Sequence, residues 1–301
     1  MTPPPPASSA PPRIAIVTVL YNSAEVLPDF LASLDRQTAR DWLLIAVDNA
    51  SSDTCVAMVQ GWAGPADIIR NTANVGFAVA TNQGIERART LGYDSVLLLN
   101  NDTAFDGDFM GGLAEQATQV PAPILAPVVL YHATPDRAWF AGGGFTWARG
   151  AYMAHASEKI PSGDAPWWPA DFAPGCALLV PMAVFDRIGL LDERFFVYWE
   201  DADFCMRCRK AGVAIAVLRT PTILHKVSVL TEGVNSPFSI RMYQQNQIRF
   251  LYKHLGRAAT LAQTPLLVVK ALQRFVRRCE PWSATRLRLR TIAAALAERE
   301  G

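Results

Sequence analysis

Three polar clusters in this chain bring together side chains able to do chemistry. The run Leu97-Leu98-Leu99-Asn100-Asn101-Asp102-Thr103 ends an apolar stretch on a carboxylate, Glu200-Asp201-Ala202-Asp203 crowds three carboxylates into four residues, and His225 stands before Lys226. A carboxylate at the end of a buried strand offers hard oxygen to a divalent cation. It can equally cap a helix starting near Phe105. The acidic cluster opens a predicted helix, where its charges complement the helix dipole. It also follows Phe195-Phe196-Val197-Tyr198-Trp199, and a carboxylate beside so much apolar surface is placed to become a general base. On local grounds His225 reads as a core histidine.

These groups need elements to hold them. Residues 13–20 (RIAIVTVL), 42–47 (WLLIAV) and 95–99 form short apolar runs expected of strands buried on both faces, with a further short strand near 68–70. Between them Val26, Leu27, Phe30, Leu31 and Leu34 recur at helical spacing after Asn22 or Ser23 as cap, and helices are predicted to about Trp62 and over 77–91. Regular alternation with brief connections predicts βαβ units in a parallel sheet over roughly the first 105 residues. Ligands bind such sheets beyond the carboxyl ends of the strands. Four polar segments fall there: Tyr21-Asn22, Asp48 to Asp53, Asn74 to Gly76, and Asn100 to Asp102.

The second half predicts strands at 139–149 and 176–181 with a Gly- and Pro-rich loop between them. A short helix at 183–188, a helix from Glu200 to about Ala211, a strand at 213–218, Ile223-Leu224-His225 and a helix at 239–254 follow. There are no internal repeats.

The ordered motifs VTVLYNS (17–23), VDNASSD (47–53), NTANVGFAVATNQG (71–84), LLLNNDT, FFVYWEDADFCMRCRKAG (195–212) and ILHK (223–226) resemble family 2 glycosyltransferases, near their bacterial rhamnosyltransferase-like branch. The resemblance runs over residues 13–255. It implies a GT-A type α/β fold, a Rossmann-like, mostly parallel central sheet flanked by helices, with a C-terminal helical extension. Its span is a catalytic domain with nucleotide-binding (13–105) and acceptor (106–255) halves; composition adds a Pro-rich disordered lead (1–12) before it and a basic helical extension (256–301) after it.

The resemblance also implies roles. Thr18, Tyr21, Asn22 and Asp48 would hold the nucleoside, and Asn74, Gly76 and Asn82 would lie along the nucleotide and phosphates. Where the family has D-x-D, this chain has Asn100-Asn101-Asp102, so Asn100 and Asn101 stay on the donor side as neutral groups. Asp102 and His225 would bind Mg2+ or Mn2+. Asp201 would be the base, with Glu200, Cys176 and Trp199 on the acceptor side. The implied reaction moves a sugar from a dTDP- or UDP-sugar to a hydroxyl of a cell-surface glycan or lipid-linked precursor, with inversion. It needs one base, unlike the two carboxylates of most glycosidases. A nucleotide-sugar-binding scaffold without turnover is the alternative, favoured by the neutral Asn100.

Other classes lack their signatures. The first strand is not followed by G-x-G-x-x-G, and Gly142-Gly143-Gly144 lies outside any βαβ unit, which argues against a dinucleotide oxidoreductase. A sugar-phosphate nucleotidyltransferase would carry a Gly-rich, lysine-containing N-terminal loop. Cys205 and Cys208 form a C-x-x-C inside a predicted helix, without a second pair at zinc spacing.

Net charge is +1 over 301 residues, half of them hydrophobic. Residues 253–301 hold ten Lys/Arg and three Asp/Glu, a net of +7, which leaves −6 on the rest. No nucleic-acid partner is implied. The basic tail, with Leu266, Leu267, Val269, Leu272 and Phe275 at helical spacing, suits an anionic membrane surface, packing on the body, or a homo-oligomer contact. With five scattered cysteines and no signal-peptide pattern in the first twelve residues, a cytoplasmic protein is expected, peripheral on the inner face of the plasma membrane where the tail meets lipid.

Overall fold

A computed structural model describes residues 11–146, 153–226 and 236–297; most of the Pro-rich lead lies outside these. The apolar, β-branched runs form β1 (Ile14–Leu20), β2 (Trp42–Asp48), β3 (Ala66–Arg70) and β4 (Ser95–Leu99). They are joined by α1 (Leu27–Asp35), α2 (Cys55–Gly61) and α3 (Phe77–Thr90), and lie side by side in parallel in the order β3-β2-β1-β4. Burial on both faces explains why β1 and β4 read as continuous apolar runs rather than alternating ones.

The sheet continues through β5 (Thr103–Ala104), β6 (Ile124–Tyr131), β7 (Thr134–Phe140), β10 (Trp167–Ala170), β11 (Ala177–Pro181) and β12 (Ile215–His225). A separate ribbon pairs β8 (Gly143–Thr146) with β9 (Met153–Ala156). Across the sheet the order is β10-β12-β6-β11-β4-β1-β2-β3, with β5 on β12 and β7 on β6. β11 is antiparallel to both neighbours, so β3, β2, β1, β4, β6 and β12 all point one way. Helices α4 (Phe109–Gln119), α5 (Met182–Ile188) and α6 (Glu200–Lys210) belong to the second half of the chain, and α7 (Pro237–Leu255), α8 (Arg257–Val276) and α9 (Trp282–Ala297) pack on one another.

Three elements depart from the sequence expectation. β6 is a central strand that contains Pro127, a residue that normally argues against one. It is tolerated because the β12 ladder slips there, Leu218 pairing with Pro127 and Thr222 with Val128, so the missing N–H falls at an irregularity. The strand expected over 139–149 breaks at Gly142, which sits at φ +113°, into the end of β7 and the start of β8. Neither Asn22 nor Ser23 caps α1 with its side chain: Asn22 turns to the next loop, and only the Ser23 carbonyl meets the helix start.

Candidate functional site

The first rim is built by stitching the loops after β1 and β2. Asn22, at φ +50°, accepts from the Ser52 N–H (2.9 Å) and its hydroxyl (3.1 Å), and Asp53 accepts from the Ala24 N–H at 2.7 Å. The Asp48 carboxylate, buried at the end of β2, takes the Ser51 N–H at 3.0 Å. Thr18 lies beneath, its buried hydroxyl without a partner, while Tyr21 stays exposed. Turn chemistry thus holds two carboxylates, an unpaired hydroxyl and an aromatic ring on one rim.

The loop before α3 is fixed more tightly. The Asn74 side chain accepts from the Gly76 N–H at 3.0 Å, and Asn49 donates to the Gly76 carbonyl at 3.1 Å. Gly76 stands at φ +91°, and a Cβ there would lie 2.7 Å from both the Phe196 ring and its carbonyl. The next residue, Phe77, donates its N–H to that carbonyl at 2.6 Å. Asn82 faces away from the rim: its amide donates to Leu191 O and Glu193, and its oxygen accepts from the Leu191 N–H.

At the end of β4, Asn101 is anchored downward, donating to Val19 O (2.8 Å) and Ser23 Oγ (3.2 Å). Asn100 donates its N–H to the Cys176 carbonyl at 3.0 Å. The two-residue β5 then pairs Thr103 with His225 and Ala104 with Leu224, and Lys226 donates its N–H to Asp102 O. This pairing brings residues 123 positions apart together: His225 Nε2 lies 3.1 Å from Asp102 Oδ1, with both side chains buried. Asp102 Oδ1 and His225 Nδ1 are buried without hydrogen-bond partners, and the Trp139 ring closes over the imidazole at 4.8 Å. Among the described residues no three His, Cys, Asp or Glu side chains form a metal cluster. The fit to a divalent cation is therefore that of a carboxylate and an imidazole, with other coordination positions left to phosphate oxygens and water. Mg2+ is commonly held by one or two carboxylates, with substrate phosphates and water filling the remaining positions.

A second cluster centres on the start of α6. Tyr198 (φ +68°) and Trp199 (φ +75°) are both left-handed, a costly arrangement for non-glycine residues that concentrates at functional sites. Asn246 of α7 holds the pair by donating to Val197 O (2.8 Å) and Tyr198 O (3.1 Å), while Trp199 packs on Tyr243 and Phe250. Asp201 emerges with Oδ2 on the Gly175 N–H at 3.2 Å and Oδ1 on the Ala202 N–H at 2.7 Å. Burial pushes the Asp201 carboxyl above its ordinary pKa, against those two N–H donors. Burial raises Glu200 well above the usual carboxylate range, with the Asp201 charge adding to it, and Glu200 Oε2 is unpartnered. Burial first, then the charges of Asp102 and Asp201, push the Cys176 thiol well up.

Asp203, one helical step further on, belongs to a different network. It is fully buried and meets Arg207 (2.9 Å), Lys253 (2.6 Å) and His254 (2.7 Å). Cys205 and Cys208 are buried free thiols on the same helix.

The structure thus gathers Asp102, His225, Asn100, Cys176 and Asp201 along one edge, with Asp48, Asn22 and Asn74 on the neighbouring rim. Residues that sequence reasoning passed over are Gly175, Phe196, Asn246 and the Asn49–Asn71–Gln83 amide cluster. Gly175, Phe196 and Asn246 act on or through backbone groups, whereas Asn49, Asn71 and Gln83 are joined amide to amide through their side chains. Only the glutamine- and asparagine-rich face of residues 239–254 hinted at one of them.

A mostly parallel mixed sheet flanked by helices, with one antiparallel strand joining its two parts, is the GT-A class of glycosyltransferase folds. The fold matches GalNAc-T7 solved with UDP, GalNAc and Mn2+ (TM-score 0.65, 13% identity, covering 97% of this chain and 57% of that one). It also matches the mannosyltransferase PcManGT of Pyrobaculum calidifontis solved with GDP-Man and Mn2+ (TM-score 0.59, 14% identity, 97% and 83%).

The Glycosyl transferase family 2 model matches residues 15–179, more than half of the chain, and the chain belongs to that family. Relatives include N-acetylglucosaminyl-diphospho-decaprenol L-rhamnosyltransferase of Mycobacterium tuberculosis, 27% identical over 235 residues (70% of this chain, 75% of the relative). Galactofuranosyltransferase GlfT1 of Mycolicibacterium smegmatis is 25% identical over 263 residues (84% of each). The dTDP-rhamnosyl transferase RfbF of Shigella flexneri is 23% identical over 192 residues (59% and 60%).

Proposed function

We propose that this chain transfers a sugar, with rhamnose the leading candidate, from a dTDP- or UDP-sugar to a hydroxyl of a glycan or lipid-linked precursor, with inversion. The observation that carries the reading is the short path between two carboxylates: Asp201 on Gly175, and Cys176 on Asn100, two residues before Asp102. An acceptor hydroxyl beside Asp201 would then face a diphosphate at Asp102 across the thiol of Cys176. The rhamnosyltransferase names among the relatives favour the donor, and the decaprenol diphosphate in one of them favours a lipid-linked acceptor.

In this reading Thr18, Tyr21, Asn22 and Asp48 hold the nucleoside, while Asn74 and Gly76 present backbone and amide groups to the phosphates. Asn82 contributes from behind, by seating α3 on Leu191. Asp102 and His225 would hold Mg2+ or Mn2+, which when bound neutralises charge on the departing diphosphate. Asp201 accepts the proton of the acceptor hydroxyl as its oxygen bonds to the anomeric carbon and the bond to the diphosphate breaks. Trp199 and Glu200 wall the acceptor, and the unpaired indole N–H and Glu200 Oε2 are the polar groups it would meet.

The test is incubation of the protein with dTDP-rhamnose or UDP-hexoses and a lipid-linked N-acetylglucosaminyl diphosphate, with and without Mn2+ or Mg2+. Transfer appears as one sugar's mass added to the acceptor and one nucleoside diphosphate released. Nucleotide binding without release in any combination would support the scaffold reading instead.

A further inference from the structure

Helix α8 buries Thr260, Leu267 and Ala271 against its neighbours, yet its outer side is apolar as well. Leu261, Leu266, Val269, Leu272, Phe275 and Val276 are between 37% and 76% exposed. Leu261, Pro265, Val269, Leu272 and Val276 fall within an arc of about 80° at 100° per residue, where a helix of a soluble protein carries charge. Trp282, 49% exposed and 5.3 Å from the Phe275 ring, extends the patch toward α9.

The charges sit on the flanks, at Lys270, Arg277 and Arg278, with exposed Arg286 and Arg290 on α9. Residues 256–297 contain eight Lys/Arg and one acid, Glu280. That acid is buried and held by Arg274 (2.8 Å), Arg288 (2.9 Å) and the Thr285 hydroxyl. The outer surface of this unit therefore presents apolar groups rimmed by cations, with no exposed carboxylate among the described residues.

We infer that the outer face of α8 docks flat on an anionic lipid bilayer. Charge complementarity selects lipid over a second copy, because a symmetric pair would bring two cationic rims together, whereas anionic headgroups meet the rim while acyl chains cover the apolar arc. The contact lies in the plane of the surface, since no helix among the described residues is long and apolar enough to cross a membrane. On its inner side α8 packs on α7 and α9; Tyr243 of α7 packs in turn on Trp199 at 5.4 Å, and Tyr252 of α7 donates to Leu296 O of α9. The inference stands on this surface alone, so it survives or fails separately from the transfer reaction.

The test is flotation of the full chain with phosphatidylcholine vesicles containing about one third phosphatidylglycerol, and with phosphatidylcholine alone. The protein floats with the first and not the second, and is released as salt rises toward roughly 0.5 M. Val269→Asp with Leu272→Asp, and separately Arg277→Glu with Arg278→Glu, each lower partitioning at least about tenfold while the unfolding midpoint and nucleotide binding stay unchanged. Failure of the wild-type chain to float on anionic vesicles overturns the inference. So does undiminished flotation of both double variants, or a dimer in light scattering that Val269→Asp with Leu272→Asp abolishes.

Discussion

The Asp201 carboxylate accepts the Gly175 N–H at 3.2 Å, and the adjoining Cys176 accepts the Asn100 N–H at 3.0 Å. The candidate base is thereby referenced to the end of β4 through two hydrogen bonds, and Gly175, Cys176 and Asn100 lie just beyond the Ala177–Leu99 end of the antiparallel β11–β4 ladder. Asp201→Asn keeps the shape and loses the base. Transfer is expected to fall about a hundred- to ten-thousand-fold, with nucleotide affinity retained. The measurements are single-turnover transfer and nucleotide titration, and near-normal turnover would remove Asp201 from the role.

The same buried acids make a stability prediction with a definite sign. The folded-state pKa values of Asp201 and Glu200 are raised, so their neutral forms favour the fold and stability is lost as pH rises through the folded values. Glu200→Gln should therefore unfold at a higher temperature than wild type near pH 8. The advantage should shrink as the pH falls toward the ordinary carboxylate range of about 4. Thermal melts of the two proteins at several pH values decide it.

Asp102 and His225 are proposed as joint ligands because neither buried group is otherwise satisfied. His225→Ala should weaken Mn2+ binding at least about tenfold, read by isothermal titration in the presence of nucleoside diphosphate. Unchanged metal affinity in that variant would return His225 to a packing role under Trp139.

Asn246 holds the left-handed Tyr198–Trp199 segment through two carbonyls, and it is itself buried. Asn246→Ala leaves those carbonyls to relax, at a cost of about 1–3 kcal/mol for the lost bonds. The start of α6 would shift with them. Destabilisation in urea together with a fall in kcat larger than any change in KM for donor would mark it as a positioning residue. A stability loss with kcat preserved would make it structural only.

The parallel half of the fold was legible because burial on both faces leaves apolar, β-branched runs, and the rim was legible because polar residues cluster where those runs stop. β6 was not legible, since Pro127 masks it and its tolerance depends on a slip in a strand ninety residues away. Asp102 and Asp201 stood out as carboxylates in distinctive surroundings. The partners of each were not readable, because Asp102 meets His225 through β5 pairing with β12, and Asp201 is tied to the end of β4 through Gly175, whose contribution is a backbone N–H. Nor does local sequence separate Asp201 from Asp203, two residues apart on one helix, which the turn of the helix sends to different sides.

Gly76 offers a prediction that rests on space as well as on dihedral angle. A Cβ would meet the Phe196 ring and carbonyl at 2.7 Å, and the φ of +91° is unfavourable for any side chain. Gly76→Ala should cost about 1–3 kcal/mol from the backbone strain alone. It should also displace Asn74 and the first turn of α3, so donor KM rises more than stability alone would explain. Nucleotide titration of the folded variant tests this.

Asp203 stands apart from Asp201, the proposed base two residues before it. Burial alone would raise its pKa, but His254, Arg207 and Lys253 outweigh that and hold it below the ordinary value. A depressed folded pKa gives stability that is present above the unfolded value of about 4 and is lost as pH falls through the folded value. Asp203→Asn removes the charge that three basic groups share and should cost about 3 kcal/mol, the lower end for a broken buried pair, because Arg207 and Lys253 remain partly hydrated. Lys253 also retains Asp192 at 2.7 Å, which limits the loss further. Urea unfolding should show the gap between wild type and variant closing as the pH drops below about 4. Transfer per folded molecule should persist, because Asp203 faces α7 while Asp201 faces Gly175. A variant as stable as wild type at pH 7, or one folded but inactive, would contradict this division of labour along α6.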